Sequence, residues 1–145
     1  MTSMPVEERI GSHIKRAEQA LLAAKNAALK SAAVTVPQYA ALLWISEKPG
    51  ISAAGLARLC GVTPPTMNTV LKNLQERGFI ERTPHEWHGN VLETRLTDEG
   101  RAVMVLADAA AVAVERALAR EFTGEERELL IRLLGRCAQR LDDQR

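Results

Sequence analysis

The chain has 145 residues, the usual length of one domain, of which 46% are hydrophobic and 26% charged, and this composition excludes a disordered tail and a two-domain enzyme. Lysine and arginine number 19 against 18 aspartates and glutamates, so the overall charge indicates no polyanionic partner. The two cysteines are too few for a disulfide framework, and no stretch reaches the roughly 20 apolar residues of a membrane span. These features predict a cytoplasmic protein that is neither exported nor embedded in a membrane.

The first predicted element is a long helix over residues 7–33, which contain no proline. Apolar side chains recur there at steps of three and four residues, as on one face of a helix. They are Ile10, Ile14, Ala17, Leu21, Ala24 and Ala28. Because a domain of this size cannot bury so long a helix alone, we expect a partner to cover this face.

Three shorter helices follow, and each begins at a residue that favours helix N-termini. Thr35, with Gln38 three residues later, forms a capping box for a helix that runs to about residue 47. Ser52 caps a short second helix, and after a turn that contains Gly61, Thr63 caps a third helix, which runs to residue 77.

A hairpin and two more helices complete the chain. Gly78 suits the left-handed position after a helix, and the segments 79–82 and 91–96 are predicted strands joined by a tip at residues 84–90. Thr97 begins a second long helix to about residue 120. A capping box formed by Thr123 and Glu126 opens the last helix. The apolar stripe of that helix consists of Leu130, Leu134, Cys137 and Leu141.

Two short helices joined by a tight turn and followed by a hairpin are the arrangement of a winged helix-turn-helix. We therefore predict a mainly helical fold with a small β-hairpin wing, flanked by N- and C-terminal helices. One face of the second short helix is apolar and faces the core, with Met67, Val70, Leu71 and Leu74. The opposite face is polar and consists of Pro65, Asn68, Thr69, Lys72, Asn73 and Glu76.

This polar face has the side chains that a DNA-reading surface needs. Amides can pair with base edges, hydroxyls can bond phosphate or meet a thymine methyl, and a cation attracts the backbone. These groups belong to Asn68 and Asn73, to Thr66 and Thr69, and to Lys72. A solvated polar face on a core helix is the structural alternative, but the preceding helix, the turn and the hairpin favour DNA reading.

Four segments carry a resemblance to a known family. They are Thr35-x-x-Gln38-Tyr39, Gly61-Val62-Thr63, Leu74-Gln75-Glu76-Arg77-Gly78-Phe79-Ile80-Glu81-Arg82 and Leu96-Thr97-Asp98-Glu99-Gly100-Arg101. With them the sequence resembles the MarR family of bacterial transcriptional regulators over nearly its whole length.

The resemblance implies a homodimer in which the N- and C-terminal helices, residues 7–33 and 98–142, interlock. Residues 35–97 would form the DNA-binding lobe within a single domain of residues 1–145. The family places its second short helix, the recognition helix, in a major groove and its wing in the adjacent minor groove. It also binds small, often aromatic effectors between the dimerisation helices and this lobe.

The wing of this chain departs from the family pattern. The family tip usually carries Asp-x-Arg, whereas His88 and Asn90 stand at those places here. On the recognition helix, Thr69 occupies a position where arginine is frequent. We infer weaker electrostatic anchoring than is typical of the family and a readout that depends more on polar contacts.

Three sets of site residues are predicted. The recognition-helix set comprises Thr63, Pro65, Thr66, Asn68, Thr69, Lys72, Asn73 and Arg77. The wing set comprises Arg82, His85, His88, Asn90 and Arg95. The effector-pocket set comprises His13, Arg16 and Trp44, although a boundary position at the dimer interface for His13 and a core position for Trp44 are the structural alternatives.

The predicted function is that of a homodimeric repressor released by a small aromatic effector. Its operator is a roughly palindromic double-stranded DNA with half-sites about one helical turn apart. The alternative is a winged-helix protein-interaction or ligand-binding module that has lost DNA binding, which the missing wing arginine favours. Neither a catalytic motif nor a Gly-rich phosphate loop points to an enzyme or a cofactor.

The histidines of the hairpin tip are not interpreted as metal ligands, and the two cysteines are not interpreted as redox sensors. The run from His85 to His88 differs in spacing from the helical zinc motif, so we predict no metal site, and we expect Trp87 within it to be exposed. Cys60 and Cys137 are interpreted as small buried hydrophobic residues rather than redox sensors.

Overall fold

Six α-helices and one β-hairpin follow one another along residues 3–145, the part of the chain that the computed structural model describes. The helices are α1 (Ile10–Leu29), α2 (Val36–Glu47), α3 (Ala53–Cys60), α4 (Pro64–Glu76), α5 (Asp98–Ala119) and α6 (Gly124–Asp142), and the strands are β1 (Ile80–Pro84) and β2 (Leu92–Leu96). The predicted fold class, mainly helical with a small hairpin, is confirmed.

The first helix is shorter than the sequence pattern predicts. A separate 3-10 turn covers Val6–Glu8, and extended backbone at Arg9 interrupts the chain before α1 begins. At the other end the chain tightens into a 3-10 turn over Lys30–Ala32 and then enters the left-handed region at Ala33 (φ 54°). The prediction of one continuous helix over residues 7–33 is therefore wrong at both ends, because periodicity does not detect these local changes of winding.

The predicted helix starts are confirmed by side-chain hydrogen bonds. Thr35 and Gln38 form both bonds of a capping box at α2, as Thr123 and Glu126 do at α6. The hydrogen bond that Glu126 accepts from the backbone N–H of Thr123, reinforced by the Thr123 side chain, lowers the pKa of Glu126. A helix leaves its first N–H groups without partners, and here a side chain three residues away in the sequence binds one of them. The positions of these helix starts therefore depend only on local sequence.

The first strand begins one residue later than predicted and ends two residues later, at Pro84, and the second strand begins one residue later, at Leu92. Phe79 donates its N–H to the Leu74 carbonyl (2.9 Å) and so completes the end of α4. The antiparallel register therefore starts at Ile80 opposite Leu96 and ends at Pro84 opposite Leu92. The sequence pattern does not predict a third short segment, in which Ile51 pairs with Thr94.

The hydrophobic core lies between α2, α3, α4 and the hairpin. Large side chains with almost no exposed surface come from each of these elements. They include Leu42, Ile45, Leu56, Met67, Leu71, Leu74 and Ile80. The core thus fixes the apolar side of α4 and leaves its opposite side to solvent.

Residues up to Ala111 form one compact unit, and Val112–Arg145 form a second. Helix α6, in the second unit, has no buried residue although it carries many large apolar side chains. Within residues 3–145, none of the helices combines the length and the apolar character needed to cross a bilayer.

Candidate nucleic-acid interface

The turn between α3 and α4 gives the recognition helix its direction. Gly61 ends α3 in the left-handed conformation (φ 65°), which glycine adopts without a side-chain penalty. Val62 then donates its N–H to the Ala57 carbonyl (3.0 Å). Thr63 caps α4 by accepting a hydrogen bond from the N–H of Thr66. The helix-turn-helix predicted from the sequence is therefore present in the structure.

The outer face of α4 is exposed over its first nine residues, apart from the core-facing positions. The exposed residues include Pro65, Thr66, Asn68, Thr69 and Lys72. The Thr63 hydroxyl donates to Thr66 Oγ1 (2.9 Å), and the Thr69 hydroxyl donates to the Pro65 carbonyl (3.2 Å). These bonds orient the threonine side chains on the exposed face of the helix.

Asn73 differs from the other predicted reading residues. It is half-buried rather than exposed, and its Oδ1 accepts a hydrogen bond of 2.9 Å from Nε2 of Gln38 in α2. The prediction that Asn73 lies on the exposed face is wrong, because the N-terminal turn of α2 packs against this part of α4. Periodicity within α4 gives no information about this neighbour.

Arg77 lies at the C-terminus of α4 and is exposed. Its guanidinium carbon is 4.7 Å from the centre of the Phe79 ring, a distance typical of a cation–π contact. Phe79 thus supports the arginine without neutralising its charge, and the guanidinium stays available for an anion.

His85 organises the tip of the wing. Its Nδ1 accepts hydrogen bonds from the backbone N–H groups of Trp87 (3.0 Å) and His88 (3.1 Å), so the ring proton is on Nε2. The ring is half-buried, and Nδ1 is used inside the hairpin, so a DNA contact by His85 remains a prediction that would use Nε2. The turn leaves Trp87 81% exposed, as predicted, and His88 and Asn90 exposed as well.

Glu93, which is not among the predicted wing residues, lies between Arg95 and His85. One of its carboxylate oxygens is 2.8 Å from Nη2 of Arg95 and the other is 3.6 Å from Nε2 of His85. Residues two apart on a strand face the same side, so the spacing of Glu93 and Arg95 was the signal that could have revealed the pair. The positive charge of Arg95 is partly compensated within the wing.

Arg82, at the base of the wing, is half-buried. Its Nε is shielded from solvent and has no hydrogen-bond partner within residues 3–145. A buried donor without a partner is costly in a protein interior, and because this atom is shielded from solvent, a contact of Arg82 with DNA would have to use its Nη groups.

Two of the predicted pocket residues lie on α1, and the third lies on α2. His13 and Arg16 are exposed on α1, and the Nε2 atom of His13 lies 2.9 Å from the Glu7 carbonyl. Trp44 is half-buried on α2, with the ammonium of Lys48 6.0 Å from its ring centre.

The cysteines are half-buried, not fully buried as predicted, because each lies at the edge of an apolar cluster or stripe. Burial raises the pKa of the Cys60 thiol, which keeps the thiol protonated and poorly reactive at neutral pH. Across residues 3–145 no group of three or more His, Cys, Asp or Glu side chains is arranged to hold a metal ion.

Comparison with known proteins relates this geometry to a family. Residues 34–89, which span α2 to the wing tip, match the model of the MarR family. The HTH-type transcriptional repressor Rv2887 of Mycobacterium tuberculosis is 39% identical over 104 residues, 71% of this chain and 75% of the relative.

Solved structures of similar proteins show that the fold is also shared. The M. tuberculosis MarR family protein Rv2887 in complex with salicylic acid superposes with a TM-score of 0.71 at 32% identity, covering 89% of this chain and 96% of that one. The transcriptional repressor CouR bound to a 23-mer DNA duplex superposes with a TM-score of 0.86 at 24% identity, covering 95% and 98%. From its sequence, its helix-turn-helix and wing, and these relatives, the chain belongs to the MarR family of transcriptional regulators.

Proposed function

We propose that this protein is a homodimeric repressor that binds operator DNA through α4 and the wing and releases it when a small aromatic effector binds. The observation that carries the proposal is the exposed polar face of α4, held by the helix-turn-helix with its apolar side in the core. The family membership supports it, since the repressor Rv2887 is 39% identical over the matched region.

The proposed division of roles follows the position of each side chain. Base readout is assigned to the exposed N-terminal part of α4, which in helix-turn-helix proteins meets base edges, namely Pro65, Thr66, Asn68 and Thr69. Phosphate contact is assigned to Thr63, Lys72, Arg77 and Arg82. His88, Asn90 and Arg95 are assigned to the minor groove or its backbone, with His85 shaping the tip.

Exposed apolar surface on the long helices supports the homodimer. Ile10 of α1 is 68% exposed, and Ile131 of α6 is 71% exposed. Apolar surface of this extent on a globular protein indicates an interaction site. We propose that residues 7–33 and 98–142 dimerise, that residues 35–97 form the DNA-binding lobe, and that both belong to one functional domain of residues 1–145. Two-fold symmetry then requires a roughly palindromic operator.

An aromatic carboxylate is the proposed effector class. Structures of the relative Rv2887 contain salicylic acid and p-aminosalicylic acid. In this chain Arg16 could pair with a carboxylate, and His13 and Trp44 could contact an aromatic ring. Salicylate is expected to weaken operator binding by the wild-type protein and to have a smaller effect on Arg16→Ala. If salicylate changes neither, salicylate is excluded as the effector.

We infer a cytoplasmic location, where operator DNA lies, and no catalytic role. The family consists of transcriptional regulators, which are not enzymes.

A mobility shift with the promoter DNA flanking the protein's own gene tests the proposal. We expect specific binding that weakens steeply between a low and a high salt concentration, because cations on the protein displace counterions from phosphates. The Glu93–Arg95 pair favours the second candidate, a winged-helix binding module without DNA affinity, since it reduces the charge of the wing. An absence of binding at low salt would support that second candidate.

A further inference from the structure

We propose that Asn73 binds DNA only as a hydrogen-bond donor, to a phosphate oxygen, in an orientation that Gln38 fixes from α2. This inference rests on the proposed DNA-binding function and revises the role of Asn73 from base reader to backbone contact. Gln38 is a positioning residue, since it acts on DNA through Asn73.

The first step is the orientation of the Gln38 amide. The oxygen and nitrogen ends of an amide are distinguished by their partners. In the capping box of α2, Oε1 of Gln38 accepts a hydrogen bond of 2.9 Å from the Thr35 N–H. Only an oxygen can accept this bond, so Nε2, with its two hydrogens, is the end that faces Asn73.

The second step is the orientation of the Asn73 amide. The bond from Nε2 of Gln38 is 2.9 Å long and requires an acceptor, which only Oδ1 can supply. The Nδ2 group then points away from Gln38 and keeps its hydrogens for another acceptor. Because its Oδ1 is held toward Gln38, the Asn73 amide cannot turn its oxygen and its nitrogen together toward an adenine, as bidentate pairing requires.

The first turn of α2 is held firmly enough to fix this orientation. The N–H of Val36 donates to Oδ1 of Asn26 in α1 (3.2 Å). The hydroxyl of the buried Tyr39 donates to Oδ1 of Asp108 in α5 (2.7 Å). Together with the capping box, these bonds restrain the turn that carries Gln38, so that rotation of its amide would break an established bond.

The position of Asn73 along α4 favours contact with a phosphate over contact with a base. Asn73 is in the C-terminal part of α4, which ends at Glu76, whereas the N-terminal residues of a recognition helix contact base edges. The exposed cations Lys72 and Arg77 flank it. Side-chain amides are common donors to phosphate oxygens, and a half-buried amide beside two cations suits this role.

Asn73→Asp is the direct test. The aspartate keeps an acceptor for Gln38 but replaces the donor with an anion facing phosphate. We expect affinity to fall about 10- to 100-fold on the promoter duplex and on an unrelated duplex of the same length, with base preference and melting temperature unchanged. Gln75→Glu, which adds the same charge at an exposed position of α4, is the matched control and should have a much smaller effect.

Gln38→Glu tests the positioning role without touching DNA. Its carboxylate still accepts from Thr35 but can only accept from Asn73, so the Asn73 amide turns and presents its oxygen to phosphate. We expect a loss of affinity for both duplexes in the wild-type background and little further loss in an Asn73→Ala background.

Three results would overturn the assignment. They are wild-type affinity in Asn73→Asp, a change of preference at a single base pair in that variant, or an equal effect of Gln38→Glu in both backgrounds. A wild-type protein that binds neither duplex would overturn the proposed function as well, whereas wild-type binding with an unaffected Asn73→Asp variant overturns only this inference.

Discussion

Gly100, in the first turn of α5, lies directly against the backbone of Phe79, so that a Cβ at this position would overlap the Phe79 carbonyl oxygen. The same carbonyl accepts the N–H of Thr97 (3.0 Å), and the Thr97 hydroxyl donates to the Gly78 carbonyl (2.6 Å). The end of the recognition helix and the start of α5 are thus joined through backbone atoms, which cannot move aside as a flexible side chain can.

Gly100→Ala is expected to lower the free energy of unfolding by about 1–3 kcal/mol, the usual cost of overpacking. Gly11→Ala is the matched control, because a Cβ on Gly11 meets no atom within 4 Å and alanine favours a helix. Thermal melting of both variants checks the prediction. Equal melting temperatures would show that α5 can shift away from Phe79 at no cost.

The helix starts of this chain could be predicted because each depends on a few neighbouring residues. The caps at Thr35, Thr63 and Thr123 are found where the sequence places them. Contacts between distant segments could not be predicted in the same way. The pairing of Ile51 with Thr94 joins residues that no local pattern connects.

In the candidate site, too, features set by local sequence could be predicted and contacts between distant segments could not. The exposed face of α4 follows from helical periodicity, which the core residues Met67, Leu71 and Leu74 confirm. The partner of Asn73 is 35 positions away in the chain, and periodicity within one helix contains no information about it. The compensation of Arg95 by Glu93 was accessible in principle, since both lie on one face of a strand.

Glu93→Gln should strengthen DNA binding. It removes the carboxylate that pairs with Arg95, so the guanidinium can neutralise a phosphate, and the salt dependence should steepen by about one unit. Glu86→Gln removes an equal charge from the same wing at an exposed position and is the control. Fluorescence anisotropy over a range of salt concentrations measures both. Equal gains in the two variants would indicate a general charge effect and argue against release of Arg95.

Ile131→Glu should dissociate the homodimer. The side chain is 71% exposed, and a carboxylate buried without a partner at an interface is strongly unfavourable. We expect the dimer dissociation constant to rise about 100-fold or more, as measured by sedimentation or light scattering across protein concentrations. Gln139→Glu adds the same charge at an exposed and already polar position of α6 and should leave the dimer intact. A dimeric Ile131→Glu protein would show that Ile131 lies outside the interface.

Glu126 predicts a pH dependence of stability. Its pKa is lower in the folded protein because it accepts the capping hydrogen bonds of Thr123. Between the unfolded and the folded pKa of Glu126, the unfolded chain therefore binds more protons than the folded chain. The stability that Glu126 contributes is fully present above its unfolded pKa and is lost as the pH falls through its folded pKa. A glutamine side chain at this position keeps the cap and does not titrate. When the pH is lowered from neutral to below the ordinary glutamate pKa of about 4.3, the melting temperature of Glu126→Gln should therefore fall less than that of the wild type. Parallel acid limbs in the two proteins would contradict the prediction.

Lys72 and Asn68 lie on the same exposed face of α4, and we expect Lys72 to attract phosphate and Asn68 to read a base. Lys72→Ala should weaken binding to every sequence alike and reduce the salt slope by about one, because a phosphate contact is lost. Asn68→Ala should cost about 1–3 kcal/mol on the operator and relax preference at one base pair, because an amide that meets a base edge discriminates between bases. Titration of each variant against the operator and its single-base-pair substitutions distinguishes the two effects. An equal loss of discrimination in both variants would refute the separate roles, since a residue that touches only phosphate has no means of reading a base.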